Sequence, residues 1–279
     1  MTLRTFIKYH GLGNDFLIFP GGMAGCPPLS PEWVAALCRR GTGVGADGVA
    51  LARPSEIGDL RMELINSDGS LPEMCGNGLR CFVMFAIEEL GMTQNPLAVE
   101  TGGGVRLCHW RRDQGRFFVR VDMGAAHWNR GQIPMEGEGP PFDVLVEADG
   151  RTFKAHGVNT GNPHMVIFGD ADRGLAQRFG AILTHHPLWP EGANVEFAEI
   201  VSPTEINVSV WERGCGLTEA CGTGATATAC MAVKLGHAEP DTPITVHLPG
   251  GDLIITVEAG FQRAWMDGPA AETYRGTLS

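Results

Sequence analysis

The sequence has few basic residues and no long apolar run. Its 279 residues include 21 lysines and arginines against 32 aspartates and glutamates, which gives a formal net charge of −11. No Lys/Arg-rich stretch is present to neutralise phosphates, so we expect no binding to nucleic acid. No apolar run has the length of a membrane helix, and the first residues lack the apolar core of a signal peptide. We therefore expect a soluble cytoplasmic protein without membrane contact.

Cysteine and lysine are also scarce. Eight cysteines in a chain of this length are too few for a disulfide scaffold, which favours a reducing compartment. None of them forms the Cys-x-x-Cys pair of a zinc knuckle, so we expect no metal. The lysines are Lys8, Lys154 and Lys234, and none lies in a phosphate-binding setting. The sequence therefore argues against a pyridoxal-phosphate enzyme, and we expect no cofactor.

One Gly-rich motif has the spacing of a dinucleotide site in the wrong context. The residues from Gly43 to Gly48 match the Gly-x-Gly-x-x-Gly pattern. A dinucleotide site needs this pattern after a strand and at the start of a helix. Here it follows a predicted helix and precedes a strand-like Val49–Leu51. We therefore reject NAD binding and interpret the motif as a tight turn.

The most informative feature is a Cys-Gly-x-Gly motif that occurs twice, beginning at Cys75 and at Cys221. Each copy precedes a largely apolar, helix-like segment that ends in Leu-Gly, at Leu90 and Leu235. A Gly-rich turn between apolar strands follows each segment. We interpret the two copies as one structural unit used twice, with one cysteine at the start of each helix.

A cysteine in that position can act as an acid or a base. The first turn of a helix offers unpaired N–H groups and a positive dipole end, so we expect a lowered thiol pKa. The neighbouring glycines let backbone N–H groups approach a bound carboxylate. Two such thiols on opposite sides of a substrate could invert a stereocentre by removing one proton and delivering another. The alternative is a pair of buried, inert cysteines.

The remaining pattern predicts an α+β protein with two similar lobes, because strand–helix–strand units recur with frequent hairpins. Ser30 followed by Pro31 predicts a helix start. We also expect Asp170 to cap a short helix and the last strand to cover Arg263–Met266. The Gly- and Pro-rich segment from Met123 to Pro141 is the best candidate for a crossing between domains.

The chain resembles diaminopimelate epimerases, pyridoxal-phosphate-independent enzymes of the lysine and peptidoglycan precursor pathway that interconvert LL- and meso-diaminopimelate. The resemblance covers nearly the whole chain and is specific because many short motifs occur together in order. They are His10-Gly11-Leu12-Gly13-Asn14-Asp15-Phe16, Asn66-Ser67-Asp68-Gly69-Ser70, Met74-Cys75-Gly76-Asn77-Gly78, Gly161-Asn162-Pro163-His164, Asn194-Val195, Glu212-Arg213-Gly214 and Ala220-Cys221-Gly222-Thr223-Gly224.

This resemblance implies a specific architecture. Two pseudo-symmetric lobes would each wrap an antiparallel or mixed sheet around a central helix, with the active site in the cleft between them. Residues 1–121 plus 265–279 would form the N-terminal lobe with Cys75. Residues 122–264 would form the C-terminal lobe with Cys221. The resemblance also implies a homodimer.

The resemblance implies site residues as well. Cys75 and Cys221 would be the catalytic bases, and the substrate carboxylate would lie between the N–H groups of Gly76-Asn77 and of Gly222-Thr223. Two residues, His164 and Glu212, match polar groups near the thiols and the α-amino group. The other matches belong to the shell that recognises the remaining charged groups of the substrate: Asn14, Asn66, Asn162, Asn194 and Arg213.

Several alternatives remain open at this point. Asn66 and Asn162 lie in turns where asparagine is favoured for backbone reasons. Some members of the family carry Gln in place of Gly48, and many carry Glu in place of Leu217, which bears on substrate strictness. The same two-thiol chemistry could act on proline, hydroxyproline or another amino acid. A phenazine-type isomerase of the same fold lacks the cysteine pair. A thiol redox or zinc-binding protein is the non-enzyme alternative.

Overall fold

The computed structural model describes residues 4–19, 30–72 and 74–278. Within that part the chain forms four helices and sixteen strands. Most strands pair in antiparallel fashion, and parallel pairs are interspersed. The predicted α+β class is therefore confirmed.

The chain divides into two compact units. The first unit consists of Met1–Val121 and Asp267–Ser279, and the second consists of Asp122–Met266. Each unit has a hydrophobic cluster of its own. The cluster of the first unit includes Phe6 and Leu17, and the cluster of the second unit includes Phe179 and Phe197.

The first unit is built on eight strands that close into a barrel, because the last strand of the chain neighbours both the first and the seventh. In chain order the strands are β1 (Arg4–Gly11), β2 (Asn14–Phe19), β3 (Gly48–Arg53), β4 (Leu60–Asn66), β5 (Leu97–Thr101), β6 (Gly104–Asp113), β7 (Arg116–Gly124) and β16 (Ala264–Leu278). Helix α1 (Pro31–Cys38) connects β2 to β3, and helix α2 (Gly76–Glu88) connects β4 to β5. Ten of the thirteen α2 residues are buried, so strands cover most of its circumference.

The second unit is built on an open sheet around a second buried helix. In chain order its strands are β8 (Val144–Ala148), β9 (Arg151–Asn159), β10 (Pro163–Phe168), β11 (Asn194–Ser202), β12 (Glu205–Glu212), β13 (Gly216–Leu217), β14 (Pro243–Leu248) and β15 (Gly251–Val257). Helix α3 (Arg173–Leu183) connects β10 to β11, and the chain runs from β12 through β13 and helix α4 (Gly222–Lys234) to β14. The α4 sequence is rich in Ala, Gly and Thr, and eleven of its thirteen residues are buried. Small side chains let the surrounding strands approach it closely.

The two units share one order of connections. In the first, a parallel pair β2–β3 leads to the β3–β4 hairpin, helix α2, a parallel pair β4–β5 and the β5–β6 hairpin. The second unit repeats these steps in the same order: a parallel pair β10–β11, the β11–β12 hairpin, helix α4, a parallel pair β12–β14 and the β14–β15 hairpin. The repeat seen in the sequence around the two cysteines therefore extends to the strand pairing of each unit.

Two local predictions need correction. Helix α3 is capped by Asp172, whose carboxylate accepts from the Gly174 N–H, and Asp170 instead accepts from the N–H of Asp172. The last strand continues to Leu278 rather than ending at Met266. Gly268-Pro269 resembles a stop signal, but β1 pairs with the chain from Ala271 onward and so keeps it extended. The prediction of α1 is confirmed, since Ser30 accepts from the Trp33 N–H and Pro31 opens the helix.

Candidate active site

Each repeated cysteine is the N-cap of a thirteen-residue buried helix. Cys75 precedes α2 with φ −139° and ψ 100°, and Cys221 precedes α4 with φ −124° and ψ 112°. Both sulfurs accept from the N–H three residues later, Gly78 and Gly224, at 3.3 Å. The two residues that directly follow each cysteine, Gly76-Asn77 and Gly222-Thr223, lie in the first turn of the helix. Their backbone N–H groups have no acceptor within the helix. Each cap thus combines a sulfur with amide donors suited to a carboxylate.

The surroundings of Cys221 are negative and closed to solvent. Its residue surface is 4% exposed. Burial, followed by the charges of Glu212 and Glu196, raises the pKa of the Cys221 thiol well above its usual value, against the lowering effect of hydrogen bonds from Thr223 and Gly224. The expectation of a lowered thiol pKa is therefore wrong for Cys221. Desolvation and two carboxylates outweigh the helix terminus.

Glu212 lies at the end of β12 and is held by the loop that leads to Cys221. Its Oε1 accepts from the Thr218 hydroxyl at 2.6 Å. Burial raises the pKa of Glu212 from 4.5 to about 7, while hydrogen bonds from Thr218 and Cys221 oppose the rise. Glu212 therefore changes charge close to neutral pH, as groups in active sites often do. Thr218 follows the unusual Leu217 and still supplies the hydroxyl.

His164 is completely buried between two oxygen atoms. Its Nδ1 lies 2.7 Å from Glu196 Oε1, and its Nε2 lies 2.7 Å from Asn162 Oδ1. Both side chains of the His164–Glu196 pair have 0% exposure. Each ring nitrogen therefore has an oxygen atom within hydrogen-bond distance, and Glu196 and Asn162 together fix the orientation of the ring.

The Asn194 side chain forms hydrogen bonds with the backbones of Pro163 and Arg213. The buried Asn194 amide donates to the Pro163 carbonyl at 3.0 Å and accepts from the Arg213 N–H at 2.9 Å. The exposed Arg213 guanidinium donates through Nη1 to the Glu191 carbonyl at 3.0 Å. One guanidinium nitrogen, Nη1, is therefore held by a loop carbonyl. The guanidinium has other N–H groups that can donate to a carboxylate.

In the first unit, Asn14 and Asn77 connect the α2 cap to the Gly-rich turn. Asn77 lies in the first turn of α2, is buried, and donates to Asn14 Oδ1 at 3.1 Å. Asn14 in turn donates to Asp47 Oδ2 at 2.7 Å. Asp47 also pairs with Arg40 at 2.8 Å. The motif that resembles a dinucleotide site therefore serves to hold Asn14 beside the Cys75 helix.

Asn66 and Gly48 face each other across the β3–β4 ladder. The Asn66 amide donates to the Ser70 hydroxyl at 3.0 Å, within the turn that leads to Cys75. A Cβ atom at Gly48 would lie 2.8 Å from the Ile65 carbonyl oxygen and 3.2 Å from the Phe16 ring. The backbone at this position thus has no room for the Gln found in some members of the family without a shift.

Three residues that the sequence motifs do not single out contact this machinery: Glu196, Asp47 and Arg80. Arg80 is fully buried, and donates to the carbonyls of Pro269 at 3.1 Å and Gly76 at 3.4 Å. Burial lowers the pKa of Arg80 to about 10, and the charge of Cys75 is among the effects that oppose this. The available signal is that Arg80 and Glu196 each interrupt an apolar stretch, which indicates a partner because Arg and Glu are almost never fully buried without one, although it does not identify that partner.

Two absences concern the described part of the chain, residues 4–19, 30–72 and 74–278. There, no three His, Cys, Asp or Glu side chains converge in the way that a metal ion requires. No helix among these residues is both long and apolar enough to cross a membrane.

Comparisons with known proteins agree on one family. The family model described as "Diaminopimelate epimerase" matches residues 6–129 and 157–272. The chain is 43% identical to the diaminopimelate epimerase of Moorella thermoacetica, over 97% of this chain and 98% of the relative. It is 44% identical to the diaminopimelate epimerase of Desulfitobacterium hafniense, over 98% of this chain and 97% of the relative.

Solved structures with the same fold are more distant in sequence. A hydroxyproline epimerase from Agrobacterium vitis, with bound trans-4-hydroxy-L-proline, has a TM-score of 0.71 at 15% identity, covering 100% of this chain and 91% of its own. A phenazine biosynthesis protein of the PhzF family from Bacillus anthracis has a TM-score of 0.69 at 14% identity, with 100% of both chains covered. These likenesses show the fold. The full-length matches show that the chain belongs to the diaminopimelate epimerase family and is an isomerase of amino-acid biosynthesis.

Proposed function

We propose that the protein interconverts LL- and meso-diaminopimelate without a cofactor, by two-base proton transfer between the thiols of Cys75 and Cys221. One sulfur, as thiolate, removes the proton from the α-carbon. The other, as thiol, delivers its own proton to the opposite face. The carbon is inverted, and the two sulfurs exchange protonation states, so charge and protons balance.

The observation that carries this proposal is the repeated cap. Cys75 and Cys221 have the same backbone conformation, the same sulfur–amide hydrogen bond and the same position before a buried helix. Packing alone does not require this cap chemistry twice. An acid/base pair that works on two faces of one carbon does require two equivalent groups.

The helix termini would bind the carboxylate attached to the reacting carbon. We assign this role to the N–H groups of Gly76-Asn77 and Gly222-Thr223. As the proton leaves, negative charge develops on that carboxylate, and preorganised amides and helix dipoles stabilise it. No imine is formed, so this electrostatic effect and the exclusion of water supply much of the acceleration.

The remaining polar groups would recognise the ends of the substrate. Glu212 and His164 are assigned to the region of the thiols and the α-amino group. Arg213 is suited to the distal carboxylate, because a planar guanidinium binds a carboxylate through two parallel bonds. The amides assigned to the other charged groups are Asn14, Asn66, Asn162 and Asn194. Their hydrogen bonds to Asp47, Ser70, His164 and Pro163 support this assignment by fixing each amide.

The proposal includes the architecture that the resemblance implies. Residues 1–121 plus 265–279 would act as a lobe that presents Cys75, and residues 122–264 as a lobe that presents Cys221. Catalysis requires both sulfurs to reach one α-carbon from opposite sides, in a cleft between pseudo-symmetric lobes. We further propose a cytoplasmic homodimer, which sedimentation analysis would test.

The decisive experiment follows the proton. LL-diaminopimelate is incubated with the protein in deuterated water, and the native chain should place solvent deuterium on the inverted carbon. Cys75→Ala and Cys221→Ala should each lose about 10³-fold or more of the epimerisation rate. Cys81→Ala and Cys230→Ala, on the same two helices but away from the caps, are the matched controls. Epimerisation that persists in either cap variant would contradict the two-thiol mechanism.

A second candidate keeps the chemistry and changes the substrate. The structural likeness to a hydroxyproline epimerase motivates it. Turnover of proline or trans-4-hydroxyproline faster than that of LL-diaminopimelate would favour this alternative. We expect the reverse, because Arg213 and the asparagine shell suit a substrate with a second charged end.

A further inference from the structure

Glu196 is a buried carboxylate that the catalytic proposal leaves without a role. It lies on β11, where alternate residues share one face of the strand. His164 on β10 lies opposite Asn194 in the parallel register, so Glu196 is its diagonal neighbour on the same face. Its side chain has 0% exposure. A fully buried carboxylate is costly unless its partners compensate for lost hydration.

One oxygen of Glu196 has two neighbours that matter for the reaction. Oε1 lies 2.7 Å from His164 Nδ1. It also lies 2.7 Å from the point that a Cβ atom on Gly224 would occupy. Gly224 is the residue whose N–H donates to Cys221 Sγ. The carboxylate therefore contacts the ring of His164 on one side and the Cys221 cap on the other.

The second oxygen is held in place without a hydrogen bond. Oε2 is buried and has no hydrogen-bond partner among the described residues. Leaving such an atom unpaired is costly, because its lost hydration is not replaced. A buried group kept at this cost is more consistent with an electrostatic function than with packing, since an apolar residue of similar size would avoid it.

We propose that Glu196 is a positioning residue for the epimerase reaction, which fixes the His164 ring and sets the electrostatic field at Cys221. This inference rests on the proposed role of Cys221. The charged and titratable groups that face Cys221 are Glu196 on β11 and Glu212 on β12, with His164 on β10 facing Glu212. Of these groups, Glu196 contacts His164 directly, and its carboxylate adds negative charge beside both Glu212 and the Cys221 sulfur.

The test is Glu196→Gln, which keeps the shape and removes the charge. We expect kcat to fall by at least about tenfold while KM changes little, because the side chain acts through His164 and Cys221 rather than on substrate. The alkaline limb of the pH profile should move to lower pH, since a negative charge near a thiol favours its protonated form.

Two further variants separate positioning from folding. Glu196→Asp keeps the charge and should recover a large part of kcat and of the native alkaline limb. Glu199→Gln makes the same change on an exposed position of β11 and should behave as the native protein. In Glu196→Gln, the most downfield imidazole N–H resonance in the proton NMR spectrum should move upfield, because the His164 Nδ1–H loses its carboxylate acceptor.

The outcomes distinguish the two levels of the proposal. If Glu196→Gln lowers the melting temperature but leaves kcat and the alkaline limb unchanged, Glu196 is structural only and this inference is overturned. If Glu196→Gln does not fold, a Glu196→Asp variant with native kcat and an unchanged His164 resonance supports the charge, and one without activity overturns it. If Cys221→Ala still epimerises, the proposed mechanism fails, whatever Glu196 does.

Discussion

The two cysteine caps are alike in backbone and unlike in charge. Both sulfurs precede a buried helix and accept one amide hydrogen bond at 3.3 Å. Near Cys75 the buried ion is a cation, Arg80, whereas near Cys221 two carboxylates are close to the sulfur. The two caps have the same backbone geometry but different electrostatic surroundings. A helix N-terminus therefore does not by itself determine whether a thiol is protonated. Burial and the nearby charges act as well, and at Cys221 they outweigh the helix terminus.

The largest expected effect on stability comes from removing the buried Arg80 cation near Cys75. Arg80→Met takes away the donors to the Gly76 and Pro269 carbonyls, and leaves both oxygens without them. We expect the free energy of unfolding to fall by about 2–4 kcal/mol in urea titration. Activity should fall as well, because a nearby positive charge favours a thiolate at Cys75. The exposed Arg178→Met, which removes a surface pair with Asp149 and a contact with the Phe179 ring, should cost less than about 1 kcal/mol.

A second test exchanges the same residue in both caps. Gly78→Ala would place its Cβ 3.3 Å from Cys75 Sγ and 3.4 Å from Leu64, which small adjustments can absorb. Gly224→Ala would place its Cβ 2.7 Å from Glu196 Oε1, which His164 holds in place. We expect Gly224→Ala to cost about 1–3 kcal/mol and to reduce kcat, with a smaller effect for Gly78→Ala. Equal effects in thermal unfolding and kinetics would show that the carboxylate imposes no constraint.

The third prediction concerns pH. Folding raises the pKa of Glu212 from 4.5 to about 7, so the folded state binds this proton more tightly than the unfolded chain. Stability from this group is therefore complete below about pH 4.5 and is lost as pH rises through about 7. Because Glu212 is only partly buried, the loss should be about 1–2 kcal/mol.

Glu212→Gln cannot titrate and is the comparison for that measurement. Its free energy of unfolding, from urea titrations at several pH values, should decline less between pH 5 and pH 8 than that of the native protein. Parallel pH dependence in the two proteins would contradict the raised pKa. Glu63→Gln, a half-exposed carboxylate in the first unit, serves as control.

The smallest effect is expected at the far ends of the helices. Helix α2 ends near Glu89, which pairs with Arg275 at 2.7 Å. Helix α4 ends at Lys234, whose ammonium lies 5.5, 5.9 and 5.4 Å from the ring centres of Trp128, Phe142 and Phe261. Lys234→Met should cost up to about 1 kcal/mol in thermal unfolding, since exposed cation–π contacts are weak. Lys154→Met, which removes a surface pair with Asp143, should change stability less.

Much of the site could be predicted from the sequence because its backbone features are local. Ser30-Pro31 specifies a helix start, and Cys-Gly-x-Gly before an apolar segment specifies a cysteine cap. The α+β class follows from the alternation of elements. The family motifs then supply roles for residues such as Asn194, whose position is not evident from its neighbours alone.

The electrostatic part could not be predicted because it depends on contacts between distant segments. Glu196 lies in a strand buried on both faces, where the sequence gives no sign that His164 is its partner. The raised pKa of Cys221 likewise arises from burial and then from carboxylates on β12 and β11, none of which the cap motif encodes. A motif specifies the donor geometry, whereas the fold specifies the charges around it.

The most direct test of this difference is the protonation of Cys221. The chain is labelled with carbon-13 at the cysteine β-carbons, and the Cys221 resonance, assigned with Cys221→Ala, is followed from pH 6 to pH 10. Because burial, followed by the charges of Glu212 and Glu196, raises the pKa of this thiol well above its usual value, we predict a chemical shift typical of the thiol from pH 6 to about pH 9. A titration of Cys221 with a midpoint near neutral pH would contradict the account.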